Sequence, residues 1–234
     1  MRLLGFDTSA GRCSAALGEA GAIRVVRSEA LARGHAERLM PMLREVMDEA
    51  GLAWSDLDAL TVTTGPGSFT GVRTAIAAVR GLALAMPAEV LPLTVFAVLA
   101  DAAIAAAPKD LRPVLVALDA RRGQVYAQPF DCRAKALAPP CCETPEVVAS
   151  LYSKDSRLIG SGASLIAVQI AGDGPRDELI DIELEARYLV EAAYRRIQDG
   201  AQLVPGFDVH PLYLRPPDAN PAAGRSLLEI AERQ

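Results

Sequence analysis

The sequence predicts an α/β fold in which one βββαβαβα unit occurs twice, the second time in abbreviated form. Three observations support this prediction. Short β-branched strands alternate with segments whose apolar residues recur at helical spacing. The motif D-x-x-x-G follows an apolar strand twice, at residues 7–11 and 119–123. A glycine turn also follows a later strand in each half, at residues 65–68 and 160–164.

The first half shows the unit most clearly. In its first helix, apolar side chains recur at i, i+3, i+4 and i+7, and Gly51 ends the pattern. The two later helices are apolar over most of their surface, which is typical of buried helices. Strands are predicted at residues 2–6, 13–17, 22–27, 60–64 and 89–93, and helices at residues 35–50, 71–86 and 94–107.

The second half begins after a break at residues 108–113, and its pattern is weaker. Residues 132–145 contain three prolines and three cysteines and are predicted to form an irregular loop. Strands are predicted at residues 114–118, 124–130 and 157–159, and a closing helix at residues 185–198. We therefore place one lobe at residues 1–108, a smaller second lobe at residues 109–215, and a flexible tail with a short helix at residues 216–234.

Composition and charge narrow the class of protein. The 234 residues are 51% apolar and carry a net charge of −5, which argues against non-specific binding of nucleic acid through its phosphates. Four cysteines without a C-x-x-C motif, and two histidines far apart, argue against a metal site. The N-terminus lacks the pattern of a signal peptide, and charged residues and prolines interrupt the longest apolar run. We therefore expect reduced thiols, no membrane span and a cytoplasmic protein.

The most distinctive stretch is Gly-Pro-Gly-Ser-Phe-Thr-Gly-Val-Arg at residues 65–73. It turns a strand into a helix, and Ser68 or Thr70 is placed to cap that helix. It is not a Walker loop, because no G-x-x-x-x-G-K motif is present. Only Arg73 and Arg80 carry charge on this helix, so it is either a central core helix or a subunit contact. The side predicted to face the protein's own sheet consists of Val72, Ala75, Val79, Leu82 and Met86.

The two D-x-x-x-G hairpins resemble those of the actin-like (ribonuclease H-like) kinases and heat-shock ATPases. In that superfamily the hairpins contact the phosphates of ATP and the aspartates hold the metal. Glycine turns suit this role because backbone N–H groups reach a phosphate without a Cβ in the way. An aspartate in a β-turn more commonly accepts a hydrogen bond from its own backbone, and we favour that role here. The residues of these vestigial nucleotide loops are Asp7, Thr8, Ser9, Gly11, Asp119 and Gly123.

Four blocks of the sequence are similar to the TsaB family: residues 5–9, 65–73, 119–126 and 211–215. They occur in the family's order and span nearly the whole chain. Ala75, Ala85 and Thr94 depart from the family pattern, but they concern helix packing only. The resemblance implies an actin-like fold and a non-catalytic subunit in the bacterial synthesis of threonylcarbamoyladenosine in tRNA.

The resemblance also implies partners. A TsaB-like protein pairs with the related catalytic subunit TsaD, which binds a metal through paired histidines and transfers threonylcarbamoyl to the adenosine next to the anticodon. An ATP-binding subunit, TsaE, joins that pair. ATP and metal are therefore expected in the partner subunits, with no cofactor in the isolated chain, and tRNA is expected to bind only through the complex. The absence of an H-x-x-x-H motif from this sequence is consistent with a partner role, and a homodimer of the isolated chain is left open.

The family's subunit contact implies an interface on two helices, at residues 35–50 and 71–86. The residues predicted to contact the partner are Leu39, Met42, Arg73, Ile76, Ala77, Arg80 and Leu84.

Two alternatives use the same residues differently. An active small-molecule kinase or ATPase of the actin-like fold would need nucleotide on both hairpins and Asp7 or Asp119 as the base. A serine peptidase would need Ser68 as the nucleophile, although no G-x-S-x-G motif surrounds it.

Overall fold

The computed structural model describes residues 1–86, 88–151, 155–171, 179–180 and 182–215, and this part of the chain contains two five-stranded mixed sheets. The first sheet has the strand order β3-β2-β1-β4-β5. Its unit consists of β1 (Arg2–Asp7), β2 (Arg12–Glu19), β3 (Ala22–Ala30), α1 (His35–Ala50), β4 (Ala59–Thr63), α2 (Phe69–Ala85), β5 (Glu89–Leu93) and α3 (Val95–Ala106).

The second sheet has the strand order β10-β9-β6-β7-β8, which is the same arrangement. Its unit consists of β6 (Val114–Arg121), β7 (Gln124–Phe130), β8 (Cys141–Glu143), α4 (Pro145–Leu151), β9 (Arg157–Ile159), α5 (Ala163–Ala171), β10 (Leu179–Ile180) and α6 (Ala186–Gln198). In both units the first three strands pair antiparallel, and the fourth and fifth add in parallel beyond the first. The predicted duplicated actin-like fold is confirmed. The second unit keeps all eight elements, and its abbreviation lies in β8, β9 and β10, which have three, three and two residues.

One local prediction in the second half is wrong. Residues 132–145 are not wholly irregular, because Cys141–Glu143 form β8 and pair antiparallel with β7. A three-residue edge strand is too short to show a period-2 pattern in the sequence. Pairing with a neighbouring strand, and not local propensity, makes this segment a strand.

Helices cover both faces of both sheets. Helices α1 and α2 pack on one face of the first sheet, α3 and α6 lie between the two sheets, and α4 and α5 cover the far face of the second. Alternate residues of β1 show this arrangement, since Leu3 lies in the core between the sheets while Leu4 and Phe6 lie beneath α1 and α2. None of the helices in the described part of the chain is long and apolar enough to cross a membrane.

Helix α6 follows the second unit in sequence but lies on the first sheet. Ala186 N donates a hydrogen bond to Ser14 Oγ of β2 at 2.9 Å. A Cβ at Gly18 would lie 2.5 Å from the ring of Tyr194, so this glycine lets the helix approach the sheet closely. After α6, the backbone of Val204 pairs with β5 of the first sheet. The division at residue 108 stays a prediction, and the predicted tail at residues 216–234 lies outside the described residues.

Candidate functional site

The first D-x-x-x-G hairpin, between β1 and β2, begins with a buried aspartate. Asp7 is fully buried, and its Oδ1 accepts hydrogen bonds from Ser9 N (3.1 Å), Ser9 Oγ (2.6 Å) and the hydroxyl of Thr63. Its Oδ2 is also buried and has no hydrogen-bond partner among the described residues. Burial raises the pKa of Asp7 above its ordinary value, and the hydrogen bonds from Ser9 and Thr63 only oppose this shift.

The glycine turn before α2 places that helix directly against the first hairpin. Ser68 Oγ accepts a hydrogen bond from Gly71 N at 3.3 Å, so Ser68 caps the helix. Ser68 N donates to Ser9 O at 2.7 Å, and the Thr8 hydroxyl donates to Gly71 O at 2.7 Å. A Cβ at Gly71 would lie 1.9 Å from Thr8 O, and one at Gly67 would lie 2.3 Å from Ser9 O. The glycines of this motif therefore permit contact between two backbones.

The second hairpin joins β6 to β7. Asp119 Oδ1 accepts a hydrogen bond from Arg121 N at 2.7 Å, and Asp119 N donates to Ser161 Oγ at 3.1 Å. Arg121, Arg122 and Gly123 have φ angles of 63°, 56° and 72°. Only glycine adopts this left-handed conformation without steric cost, so the two arginines are held in strained positions.

A cleft of about 1040 Å³ lies between the two hairpins. Of the six predicted loop residues, Ser9, Gly11 and Asp119 line the cleft, whereas Asp7, Thr8 and Gly123 do not. Helix α3 contributes the apolar side chains of Val95 and Leu99 to the lining. The start of α1 contributes His35, whose Nε2 is buried and lacks a hydrogen-bond partner among the described residues.

The exposed face of α2 is a second candidate site. Arg73 lies 3.7 Å from the centre of the Phe69 ring, and its Nε donates a hydrogen bond to the Tyr213 hydroxyl at 2.7 Å. The Phe69 and Tyr213 rings stack with their centres 5.6 Å apart. Leu84, near the other end of the helix, is 90% exposed. We call this surface the α2 face and define it as Phe69, Arg73, Ala77, Arg80, Leu84 and Tyr213.

Sequence comparisons match this architecture. The family model for tRNA N6-adenosine threonylcarbamoyltransferase, TsaD, matches residues 25–162, which is more than half of the chain. The tRNA threonylcarbamoyladenosine biosynthesis protein TsaB of Escherichia coli K12 is 38% identical over 126 residues, or 54% of this chain and 53% of that protein. TsaB of Haemophilus influenzae is 36% identical over 126 residues, or 54% of this chain and 52% of that protein.

The comparison with solved structures covers the chain more fully. YeaZ of Pseudomonas aeruginosa superimposes with a TM-score of 0.78 and is 33% identical, over 91% of this chain and 99% of that chain. The chain belongs to the TsaB (YeaZ) family. It spans about half the length of the curated TsaB relatives that it matches.

The kinase or ATPase alternative requires a metal-bound nucleotide between the two hairpins, but the residues present do not fit one. Asp7 is fully buried and does not line the cleft, and the carboxylate of Asp119 is engaged by Arg121 through its backbone N and, at 3.4 Å, its Nη1. No group of three or more metal-binding side chains occurs among the described residues. Both aspartates instead make the backbone hydrogen bond of a turn, the role that the sequence favoured.

Peptidase chemistry at Ser68 also lacks support in this TsaB-family chain. A second P. aeruginosa structure, with a TM-score of 0.78 and 34% identity over 92% of this chain and 99% of that chain, is described as similar to the peptidase YeaZ. Here the Ser68 hydroxyl caps α2, and no hydrogen bond links it to His35 or His210 in the described part of the chain. A serine nucleophile needs such a base.

Three predicted interface residues lie in the chain's own core. Leu39, Met42 and Ile76 are 1%, 0% and 5% exposed, and they pack among α1, α2 and the first sheet. The prediction that they contact a partner is therefore wrong. Met42 lies off the main apolar stripe of α1, but its Sδ is 3.9 Å from Cys13 Sγ of β2, so the buried side of α1 is wider than that stripe. The exposed interface residues, Arg73, Ala77, Arg80 and Leu84, remain a prediction.

Sequence reasoning missed the aromatic part of the α2 face. Phe69 and Tyr213 are 48% and 45% exposed, and Phe207 nearby in the chain is 72% exposed. Tyr213 is 140 residues from its partner Arg73, so no local pattern connects them. The return of the chain after α6 brings Tyr213 to α2.

Proposed function

We propose that this chain is a non-catalytic subunit of the complex that adds threonylcarbamoyl to the adenosine next to the anticodon of tRNA. The observation that carries the proposal is membership of the TsaB family, whose relatives are named tRNA threonylcarbamoyladenosine biosynthesis proteins. The TsaD family model, which also matches this chain, supports common ancestry with the catalytic subunit.

The chemistry of the cleft supports a role without catalysis. Group transfer to an adenosine nitrogen needs a group that activates the acceptor or stabilises the developing charge. Asp7 is fully buried and does not line the cleft, and the carboxylate of Asp119 is engaged by Arg121. In the residues that the structure describes, no set of side chains supplies a metal site for the same purpose.

We propose that the α2 face binds the TsaD-type catalytic subunit. It combines two arginines, two aromatic rings and a leucine that is 90% exposed, and burying that leucine alone would contribute about 2 kcal/mol. The small residues Ala77, Gly81 and Ala85 are all exposed, so they allow a partner helix to approach closely. A TsaE-type ATPase and tRNA then join through the complex in the cytoplasm, and the same face is available to a second copy when the partner is absent.

Ala77→Glu is expected to abolish co-purification with the TsaD-type subunit and to leave the Tm of the dilute isolated chain nearly unchanged. Ala77 is exposed, so a surface substitution there should change the free energy of unfolding by no more than about 0.5 kcal/mol. In a packed helix contact the same side chain would be an unpaired buried charge, which costs several kcal/mol and removes a micromolar complex.

The matched control is Ala105→Glu, which places the same charge on an exposed position of α3. It should keep the complex. If Ala77→Glu binds the partner as the wild type does, the α2 face is not the interface. If it unfolds the isolated chain, α2 is a core helix on both sides.

A further inference from the structure

The last described residues of the chain connect the α2 face to the second hairpin. We call residues 209–215 the C-terminal strap. On the first lobe, Val209 is fully buried beside α1 and α2, and its carbonyl accepts hydrogen bonds from Arg80 Nε (3.1 Å) and Nη2 (2.6 Å). Leu212 N donates to Thr64 O at 2.8 Å. The strap is therefore fixed to the first lobe up to the point where Tyr213 joins the α2 face.

Two residues later, the strap is bound to the other lobe. Arg215 Nη1 donates a hydrogen bond to Ala120 O at 3.0 Å, and its Nη2 donates to Gln124 Oε1 at 2.5 Å. The guanidinium also lies 5.9 Å from the centre of the Tyr126 ring. Arg215 thus contacts both strands of the second hairpin, with bonds to two separate acceptors that a planar guanidinium is suited to make.

The hairpin that Arg215 holds is strained at its tip. Arg121 and Arg122 are in the left-handed conformation, and such residues persist only where surrounding contacts fix them. The carbonyl of Ala120, which accepts the Arg215 bond, immediately precedes them, and Arg121 O lies 3.4 Å from Arg215 Nη2. The same hairpin lines the cleft through Asp119, Ala120 and Arg121.

We propose that the strap couples the α2 face to the second hairpin. Tyr213 is the residue of the strap that a partner on the α2 face would restrain, and Arg215 is the positioning residue for the hairpin tip. A partner that packs on Phe69 and Arg73 restrains Tyr213, because these side chains already stack on and hydrogen-bond to it. That restraint passes through one intervening residue to Arg215 and orders the wall of the cleft. The identity of the partner rests on the proposed function, but the coupling does not.

The coupling is tested first in the isolated full-length chain, by hydrogen–deuterium exchange at the backbone amides of residues 119–125. Arg73→Ala releases the Tyr213 hydroxyl, and Arg215→Lys keeps the charge while losing the two-acceptor geometry. Both variants should speed exchange at the hairpin about fivefold, the low end of typical coupling between sites, and leave β1 and β4 unchanged. Arg133→Ala, at an exposed turn of the second lobe, is the control and should change nothing at the hairpin.

If Arg73→Ala leaves exchange at the hairpin at the wild-type rate, the coupling does not exist. A uniform rise in the exchange rate that includes β1 and β4 would also overturn the coupling, because the variant would then act on global stability alone. A second arm adds the TsaD-type subunit, which should slow hairpin exchange in the wild type and not in Arg215→Lys. Failure of that subunit to bind would contradict the proposed function, while the isolated-chain result still decides the coupling.

Discussion

Gly71→Ala is expected to lower the free energy of unfolding by about 3–5 kcal/mol, or to prevent folding. An added Cβ would lie 1.9 Å from the backbone oxygen of Thr8, and neither backbone moves freely because each belongs to a regular element or to its end. Overpacking of this kind costs about 1–3 kcal/mol, and moving α2 away would also break the Thr8–Gly71 and Ser68–Ser9 hydrogen bonds at about 1 kcal/mol each. Urea denaturation of the purified variant measures the change.

Gly81→Ala is the matched control, since it makes the same change in the same helix where nothing lies within 4 Å of the new Cβ. It should raise the free energy of unfolding by about 0.5–1 kcal/mol, because alanine favours the helix interior. Equal and small effects at the two glycines would show that α2 does not rest on the first hairpin.

Asp7→Ala is expected to lower the free energy of unfolding by about 2–4 kcal/mol. The substitution leaves the Ser9 amide, the Ser9 hydroxyl and the Thr63 hydroxyl buried without their acceptor, and an unsatisfied buried donor costs about 1–3 kcal/mol. Asp7→Asn keeps the Oδ1 acceptor and should be the milder change. Its urea denaturation curve is compared with those of Asp7→Ala and the wild type.

The pH dependence of stability tests the state of the same carboxyl. Burial raises the pKa of Asp7 in the folded chain above its value in the unfolded chain, which is about 3.9. The folded state therefore binds the proton of the Asp7 carboxyl more tightly than the unfolded state does. This contribution to stability is present below about pH 3.9 and is lost as pH rises through the raised folded pKa. Glu19, Glu29 and Glu45 have lowered pKa values because arginines hydrogen-bond to them, which gives the opposite slope.

The measurement is therefore the free energy of unfolding of the wild type minus that of Asp7→Asn. The contributions of the other carboxyls cancel in this difference. This difference should fall with rising pH across the window above about pH 3.9. A difference that is independent of pH, or that rises, would show that the Asp7 carboxyl keeps an ordinary or lowered pKa in the folded chain.

The sequence was sufficient for the fold because the signals that define it are local. Strand and helix periods, together with the two D-x-x-x-G turns, predict every element of the first unit in order. In the second unit they leave β8, α4, α5 and β10 unpredicted, although its strand order is the same as in the first. The N-cap at Ser68 was predictable for the same reason, since a cap and its helix are neighbours in the chain.

The site was less predictable because its residues meet across the chain. A helical wheel divides α2 into two sides, but it does not show that Ile76 falls inside a core that α1 shares. Whether Tyr213 meets Arg73, or Arg215 meets the second hairpin, depends on the return of the strap after α6. Contacts of this kind come from tertiary packing and give no periodic pattern in the sequence.

The most direct test of the proposed function is a transfer assay with threonylcarbamoyl-adenylate and tRNA. The purified chain alone should give no modified adenosine, because no group of three or more metal-binding side chains occurs among the described residues and Asp7 is buried outside the cleft. Mixed with TsaD-type and TsaE-type subunits it should give sustained turnover that is lost when this chain is omitted. Sustained transfer by this chain alone would contradict the account.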